Sequence, residues 1–119
     1  MPDKINLDEK FALFSEQWSP KIVGQVNNMH VKLVKIGGEF IWHSHEVEDE
    51  MFFVTKGCMT MKFRDRDVVV NPGEFIIVPK GIEHMPACEE ETFIMLIEPA
   101  ETVNTGGEES DRTRNPESI

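Results

Sequence analysis

The sequence predicts an all-β domain, a closed barrel or sandwich of short strands, fronted by one short helix. Two observations carry that prediction. Helical periodicity is confined to the N-terminal segment, where Leu7, Phe11 and Phe14 fall at i, i+4 and i+7. From Ile22 onward the chain becomes a series of short apolar stretches punctuated by Gly, Pro, Asn and Asp, the pattern of strands joined by tight turns.

Asn6, followed three residues later by Glu9, has the form of an N-cap with a reciprocal acidic partner, and the helix must end before Ser19-Pro20. Strands are expected at Ile22–Val26, Met29–Ile36, Glu39–His43, Met51–Val54, Met59–Arg64, Asp67–Val70, Phe75–Val78, Ile82–Pro86 and Thr92–Ile97. Gly57 and Gly73 sit where turns must reverse the chain, and Pro79-Lys80-Gly81 reads as a turn that delivers His84 onto the next strand. The organisation that follows is a helical segment over 1–20 packing on a barrel over 21–100. A polar segment over 101–119 then forms either a flexible tail or a strap along the barrel surface. The polar character begins near Glu98 and Pro99 and includes Gly106-Gly107, Glu108, Glu109, Asp111, Arg112 and Arg114.

At 119 residues the chain suffices for one core, burying roughly two-thirds of the unfolded surface. The formal charge of −10 argues against nucleic-acid and anionic-membrane partners, which require a cationic face. Charges at Asp3, Lys4, Asp8 and Glu9 do not fit a secretory leader, and no apolar run approaches membrane-spanning length, so a cytoplasmic location is expected. In that setting Cys58 and Cys88 are expected as reduced thiols rather than a disulfide.

The densest chemical signal lies between Gly37 and His84. It reads G-x5-H-x-H-x4-E-x6-G from Gly37 to Gly57, then G-x5-P-x-G-x2-H from Gly73 to His84. These spacings offer His43, His45, Glu50 and His84 as ligands to one divalent metal. Strand alternation puts His43 and His45 on one face with Ile41, Glu50 with Phe52 and Val54, and His84 with Ile82. Met59, Met61 and Phe63 alternate with polar residues and face inward, so these seven apolar residues are the expected pocket lining. Each of the four polar groups taken alone reads as an ordinary hydrogen-bonded side chain. Together in one lumen, each would cost roughly 1–3 kcal/mol unsatisfied, and a shared metal resolves all four. His30 is left outside this set.

This paired pattern resembles the two motifs of the cupin superfamily, and the resemblance extends over roughly residues 5–100, a whole domain. Its members of this size are single-domain, conserved-barrel proteins, so the resemblance implies a cupin double-stranded β-helix, jelly-roll-like, with a short N-terminal helix. One position departs: Cys88 stands where many members carry Asn four residues after the last His. The chain is loosely similar to mannose-6-phosphate isomerase-like cupins. However, it has no helix start or Gly-rich loop in the motif region to cradle phosphate. Lys32, Arg64 and Lys80 are possible donors, with Arg64 in the charged turn Arg64-Asp65-Arg66-Asp67 favouring a solvated surface role.

A ligand set of nitrogen and oxygen without thiolate suits Fe, Mn, Ni, Zn or Cu, and affinity order does not choose among them. Two functions remain open: a metal-dependent enzyme on a small molecule, either a dioxygenase or a non-redox isomerase or lyase, and a non-catalytic small-ligand or metal-binding module. The absence of tyrosine removes the Cys–Tyr cross-link and the tyrosine acid of some superfamily members. Acid–base work would then fall to Glu39, Glu50, Glu83, Lys32, His30 or a metal-bound water. Glu39, which shares parity with His43, is the candidate beside the ligands, although a solvent-exposed glutamate at a strand end is the reading its position favours. The acidic loop Glu46, Glu48, Asp49 is either a solvated turn or an electronegative rim. Phe40, Trp42, Met51 and Phe53 fall on outward parity and need a cover, which the helix and a second subunit of a homodimer would supply.

Overall fold

The computed structural model describes residues 2–107 and 110–119. Glu108 and Glu109, counted above among the tail charges, lie outside the described residues. A single helical turn and a half, α1 (Leu7–Phe11), opens the chain, and the Asn6 side chain accepts a hydrogen bond from the Glu9 amide at 3.0 Å. Phe11 and Phe14 are buried with Leu33, and the Phe11 ring stacks on Phe93 at 4.6 Å between centroids. The helix segment therefore packs with Leu33, Phe93 and Met95, and none of Phe40, Trp42, Met51 and Phe53, part of whose cover the sequence assigns to it, belongs to that cluster.

The strands are β1 (Lys21–Val26), β2 (Met29–Glu39), β3 (Glu50–Lys56), β4 (Met59–Phe63), β5 (Asp67–Val70), β6 (Phe75–Val78), β7 (His84–Pro99) and β8 (Glu117–Ser118). They run in the order β5-β4-β7-β2-β1-β8, with β3 bridging β6 and β7. All pairings are antiparallel except the short parallel contact of β8 with β1.

Two sequence expectations change here. The strands expected at Ile82–Pro86 and Thr92–Ile97 are one continuous strand of 16 residues, β7. The polar run Glu89-Glu90-Glu91 resembles a break but is extended backbone with its side chains in water. β7 serves as the spine: its start pairs with β4, its end with β3, and β2 follows it from Met29↔Pro99 to Glu39↔Ala87. A register shift between Ile36 and Gly38 absorbs the extra β7 residues, and Gly38 adopts φ +72° there. The second change concerns Glu39–His43. β2 runs on to Glu39, and the chain from 40 to 49 is irregular apart from one bridge between His43 and His84. Strict alternation fails in that segment.

The main core is formed by Val34, Ile36, Phe52, Val54, Met59, Met61, Val70, Val78, Ile94 and Leu96. Near the termini, the fully buried Lys21 is held by Glu16 at 3.0 Å and by Glu117, and the Ile119 amide donates to Ile22 O at 3.0 Å. The C-terminal segment thus returns to the barrel as a strap. Among the described residues no helix is long and apolar enough to cross a membrane.

Gly57 turns β3 into β4 at φ +92°, and a Cβ there would meet Thr92 Oγ1 at 2.5 Å and Thr92 Cα at 3.0 Å. Thr92 is itself fixed by hydrogen bonds with the Cys58 amide and carbonyl. Gly57→Ala is expected to lower unfolding free energy by more than about 1–2 kcal/mol, the cost of a left-handed L-residue alone, measured by urea denaturation; an unchanged midpoint would contradict this role.

Candidate metal centre

The site is built where two backbone segments lock together. His43 N donates to His84 O at 3.1 Å and His84 N donates to His43 O at 2.9 Å, while Gly81 N donates to His45 O at 2.7 Å. The turn 79–81 is fastened again by the Lys80 amide, which donates to Asp49 Oδ1 at 2.9 Å. Glu50 enters from the first residue of β3, paired with Val78.

These elements bring His43, His45, Glu50 and His84 together. All four are buried, and one ligand atom from each lies within 4.8 Å of the others. Glu50 Oε1 is 3.0 Å from His45 Nε2 and 3.4 Å from His84 Nε2. The Nδ1 atoms of His43 and His84 each lie 2.9 Å from a backbone carbonyl, Ile41 O and Ile82 O. In a neutral imidazole that contact places the proton on Nδ1 and leaves Nε2 as a free lone pair, the tautomer a metal requires. His45 Nε2, His84 Nε2 and Glu50 Oε1 are buried without a hydrogen-bond partner. The group therefore fits a metal ion, in donor type and in the direction of its unsatisfied atoms.

Electrostatics keep the set ready. Burial, then the adjacent His84, lowers His43 to about 4, so it is neutral at physiological pH. Burial would raise Glu50, but the imidazoles of His45 and His84 against it hold it well below the usual carboxylate range.

Behind Glu50 lies a residue that sequence reasoning assigned to the start of the polar segment. Glu98 is 2% exposed and pairs with the equally buried Lys32 at 3.2 Å. Burial and the charge of Glu50 push it up to about 9, with Lys32 opposing. The signal was present: Glu98 shares inward parity with Ile94 and Leu96 on β7. Glu39, by contrast, does not stand beside the ligands. Its side chain is 61% exposed and pairs with Lys62 at 3.2 Å, because β2 ends there at the barrel rim. Glu83 is likewise on the surface, held by Arg64 at 3.0 Å, and Arg64 stacks over Trp42 at 3.8 Å.

Beside the ligands opens a mainly apolar cavity. His43, Glu50 and Glu98 contribute polar groups to a wall of Val34, Ile36, Phe52, Pro86, Ile94 and Leu96, and Trp18, Pro20, Phe40 and Asn104 complete it. Of the expected lining, Phe52 borders this cavity. Val54, Met59 and Met61 are consumed in the packed core, with Phe63 against it. Ile41 is half-buried and carries the carbonyl facing His43. Ile82 is 44% exposed, since it lies in the turn before β7. Phe40, expected outward, faces the cavity and stacks on Trp18 at 4.9 Å because its segment is not a regular strand. In the acidic loop, Glu46 is exposed while Glu48 stands 3.9 Å from His45 Nδ1. Cys58 and Cys88 are free thiols.

Fold and site together define a small all-β barrel with a buried three-histidine, one-carboxylate cluster able to hold a metal. The cupin domain family matches residues 30–98, and the chain belongs to that family. A cupin-2 domain containing protein of Shewanella frigidimarina has a solved structure similar to this one at 45% identity and TM-score 0.79, covering 80% of this chain and 93% of that one. The uncharacterized protein YdbB of Bacillus subtilis is 33% identical over 98 residues, 80% of each chain. The 3-hydroxyanthranilate 3,4-dioxygenase of Nematostella vectensis is 26% identical over 98 residues, 77% of this chain but 35% of that protein.

Glu98 loses its proton near 4.5 when unfolded and near 9 when folded. The unfolded chain therefore releases this proton first, and the metal-free protein should lose stability as pH rises between those values, by a fraction of the limiting ~1.4 kcal/mol per pH unit. His43 acts oppositely, but only between about 4 and 6.5. Urea unfolding at about pH 7 and about pH 9 should show a decline in wild type that is smaller in Glu98→Gln; equal pH slopes would contradict the buried acid.

Proposed function

We propose that this cupin binds one divalent transition metal through His43, His45, Glu50 and His84 and acts on a small molecule held in the adjoining cavity, as a dioxygenase or as a non-redox isomerase or lyase. The observation that carries the reading is the convergence of three buried, unpartnered ligand atoms, His45 Nε2, His84 Nε2 and Glu50 Oε1, with His43 beside them. When bound, an ion such as iron, manganese, nickel, zinc or copper supplies Lewis-acid or redox chemistry. The protein's own contribution is threefold. Ile41 O and Ile82 O orient two imidazoles, the apolar wall excludes water from the ligand, and Glu98 with Lys32 holds a proton and a charge behind Glu50. Similarity to a 3-hydroxyanthranilate 3,4-dioxygenase supports the oxygenase branch.

A second reading, a non-catalytic small-ligand or metal-binding module, draws on the cavity lining. Apart from His43 and Glu50, Glu98 is the one titratable side chain among the described lining residues, which leaves little acid–base machinery. Oxygen uptake or isomer formation with any small molecule would separate the two readings, since only an enzyme turns over.

Titration of the metal-free protein with Co(II), followed by visible absorption, should saturate at one ion per chain. His84→Ala is expected to weaken binding by more than about 100-fold, because it removes a donor whose outer contacts alone are typically worth 10–100-fold. His30→Ala should bind as wild type. Unchanged stoichiometry and affinity in His84→Ala would overturn the ligand assignment.

We also propose a homodimer. On the outer faces of the paired strands β3 and β6, Phe75 and Ile77 are 57% and 54% exposed, next to half-buried Met51 and Phe53. An apolar patch on an edge strand is a surface that a second copy covers. Sedimentation at micromolar concentration should give twice the chain mass, and Ile77→Glu should give one; a wild-type monomer would contradict the assembly.

A further inference from the structure

The C-terminal strap brings Arg112 over Trp18 and Phe40, two residues that line the cavity, and brings Arg114 to an adjoining hollow that shares Trp18 with it. Its approach is fixed at Gly106, where a Cβ would meet Ser44 O at 2.1 Å, so the strap lies directly on the backbone between His43 and His45. Asn104, which lines the cavity, donates from its amide to Arg112 O at 2.8 Å and accepts from Arg114 N at 3.0 Å. One side chain thereby holds both arginine backbones.

The guanidinium of Arg112 stands 5.8 Å from the centroids of both Trp18 and Phe40, the stacked pair that lines the cavity. Arg112, Arg114, Trp18, Gln17 and Gly37 enclose a second, solvent-open hollow, and Trp18 lines both it and the apolar cavity. In a chain of net charge −10, arginines are expected to find carboxylates. Yet among the described residues the hydrogen-bond acceptors of these two guanidinium groups are backbone carbonyls: Glu39 O at 3.3 Å for Arg112, and Asp111 O at 2.6 Å and Thr113 O at 2.9 Å for Arg114. Two described carboxylates nearby are engaged elsewhere: Glu91 accepts from the Gln17 amide at 2.9 Å and Glu39 pairs with Lys62 at 3.2 Å. Carbonyl contacts do not neutralise a guanidinium, whose planar fork matches a carboxylate.

We propose that Arg112 and Arg114 form an anion-recognising mouth to the cavity, and that the site takes a small carboxylate with an apolar body. The body lies against the Trp18–Phe40 wall and the carboxylate meets the guanidinium groups. This rests on the cavity being the ligand site, as in the reading above, but not on the metal.

Benzoate and its neutral isostere benzamide are suitable probes, titrated calorimetrically into the full chain both metal-loaded and freed of metal by chelation. Benzoate should bind at least tenfold more tightly than benzamide in both forms. The double variant Arg112→Gln, Arg114→Gln should lose that preference while keeping the wild-type circular dichroism and metal content per chain. Equal binding of the two probes, binding of neither at millimolar concentration, or a preference that survives in the double variant would each overturn the proposal. A preference that disappears with the metal would place the carboxylate on the ion and overturn it too. A protein that took up no metal, yet kept an arginine-dependent preference, would sustain this inference while sinking the metal assignment.

Discussion

The reciprocal backbone pair between His43 and His84 is the constraint on which the site depends. It ties an irregular segment to the first residue of β7, the strand that also pairs with β2, β3 and β4. Ligands separated by about forty positions are thereby fixed by the most heavily paired strand in the fold, and the imidazole tautomers are then set by carbonyls two residues earlier, Ile41 and Ile82. A site so held needs little reorganisation to accept an ion, which is how a rigid scaffold contributes to affinity.

That rigidity has a thermodynamic counterpart. Buried, unpartnered donors and acceptors at His45, His84 and Glu50 destabilise the metal-free fold, and an ion that binds the native state alone removes the penalty and adds its own linkage. The Lys32–Glu98 pair behaves differently. Both are 2% exposed at the side chain, and removing either would leave the other charged or orphaned in a low-dielectric interior. With Glu50 adjacent, this gives a line of lysine, acid and carboxylate running from β2 through β7 to β3. Glu50 is therefore supported from behind by Glu98, which also lines the cavity, and through it by Lys32, which does not.

Much of this was legible in the sequence because glycine and histidine spacing is local information. Asn6 and Glu9 marked the helix start, Gly57 and Gly73 marked turns, and the four residues of the buried cluster followed from the motif pair. Illegible parts had physical causes. Alternation predicts facing only while backbone is regular, so Phe40 and Ile82 were misplaced in the segments beside the ligands where the chain is outside the strands, whereas Glu39, still within β2, is the exposed strand-end glutamate its position favoured. Glu89-Glu90-Glu91 concealed the continuity of β7, since extended backbone tolerates charges wherever one face meets water. Glu98 was hidden by its own chemistry, an acid at the end of an apolar alternation being read more readily as the start of a tail. No local pattern could have brought Arg112 to Trp18 and Phe40, because the strap's path depends on tertiary contacts at Ser44 and β1.

The most direct test of the account is the elemental composition of the native protein, purified without chelator and under anaerobic conditions, by plasma mass spectrometry with metal expressed per chain. The account predicts close to one transition-metal ion per chain. A protein that arrives metal-free and takes up no added Fe, Mn, Ni, Zn or Cu would contradict it, leaving the barrel and its cavity without the centre they are built around.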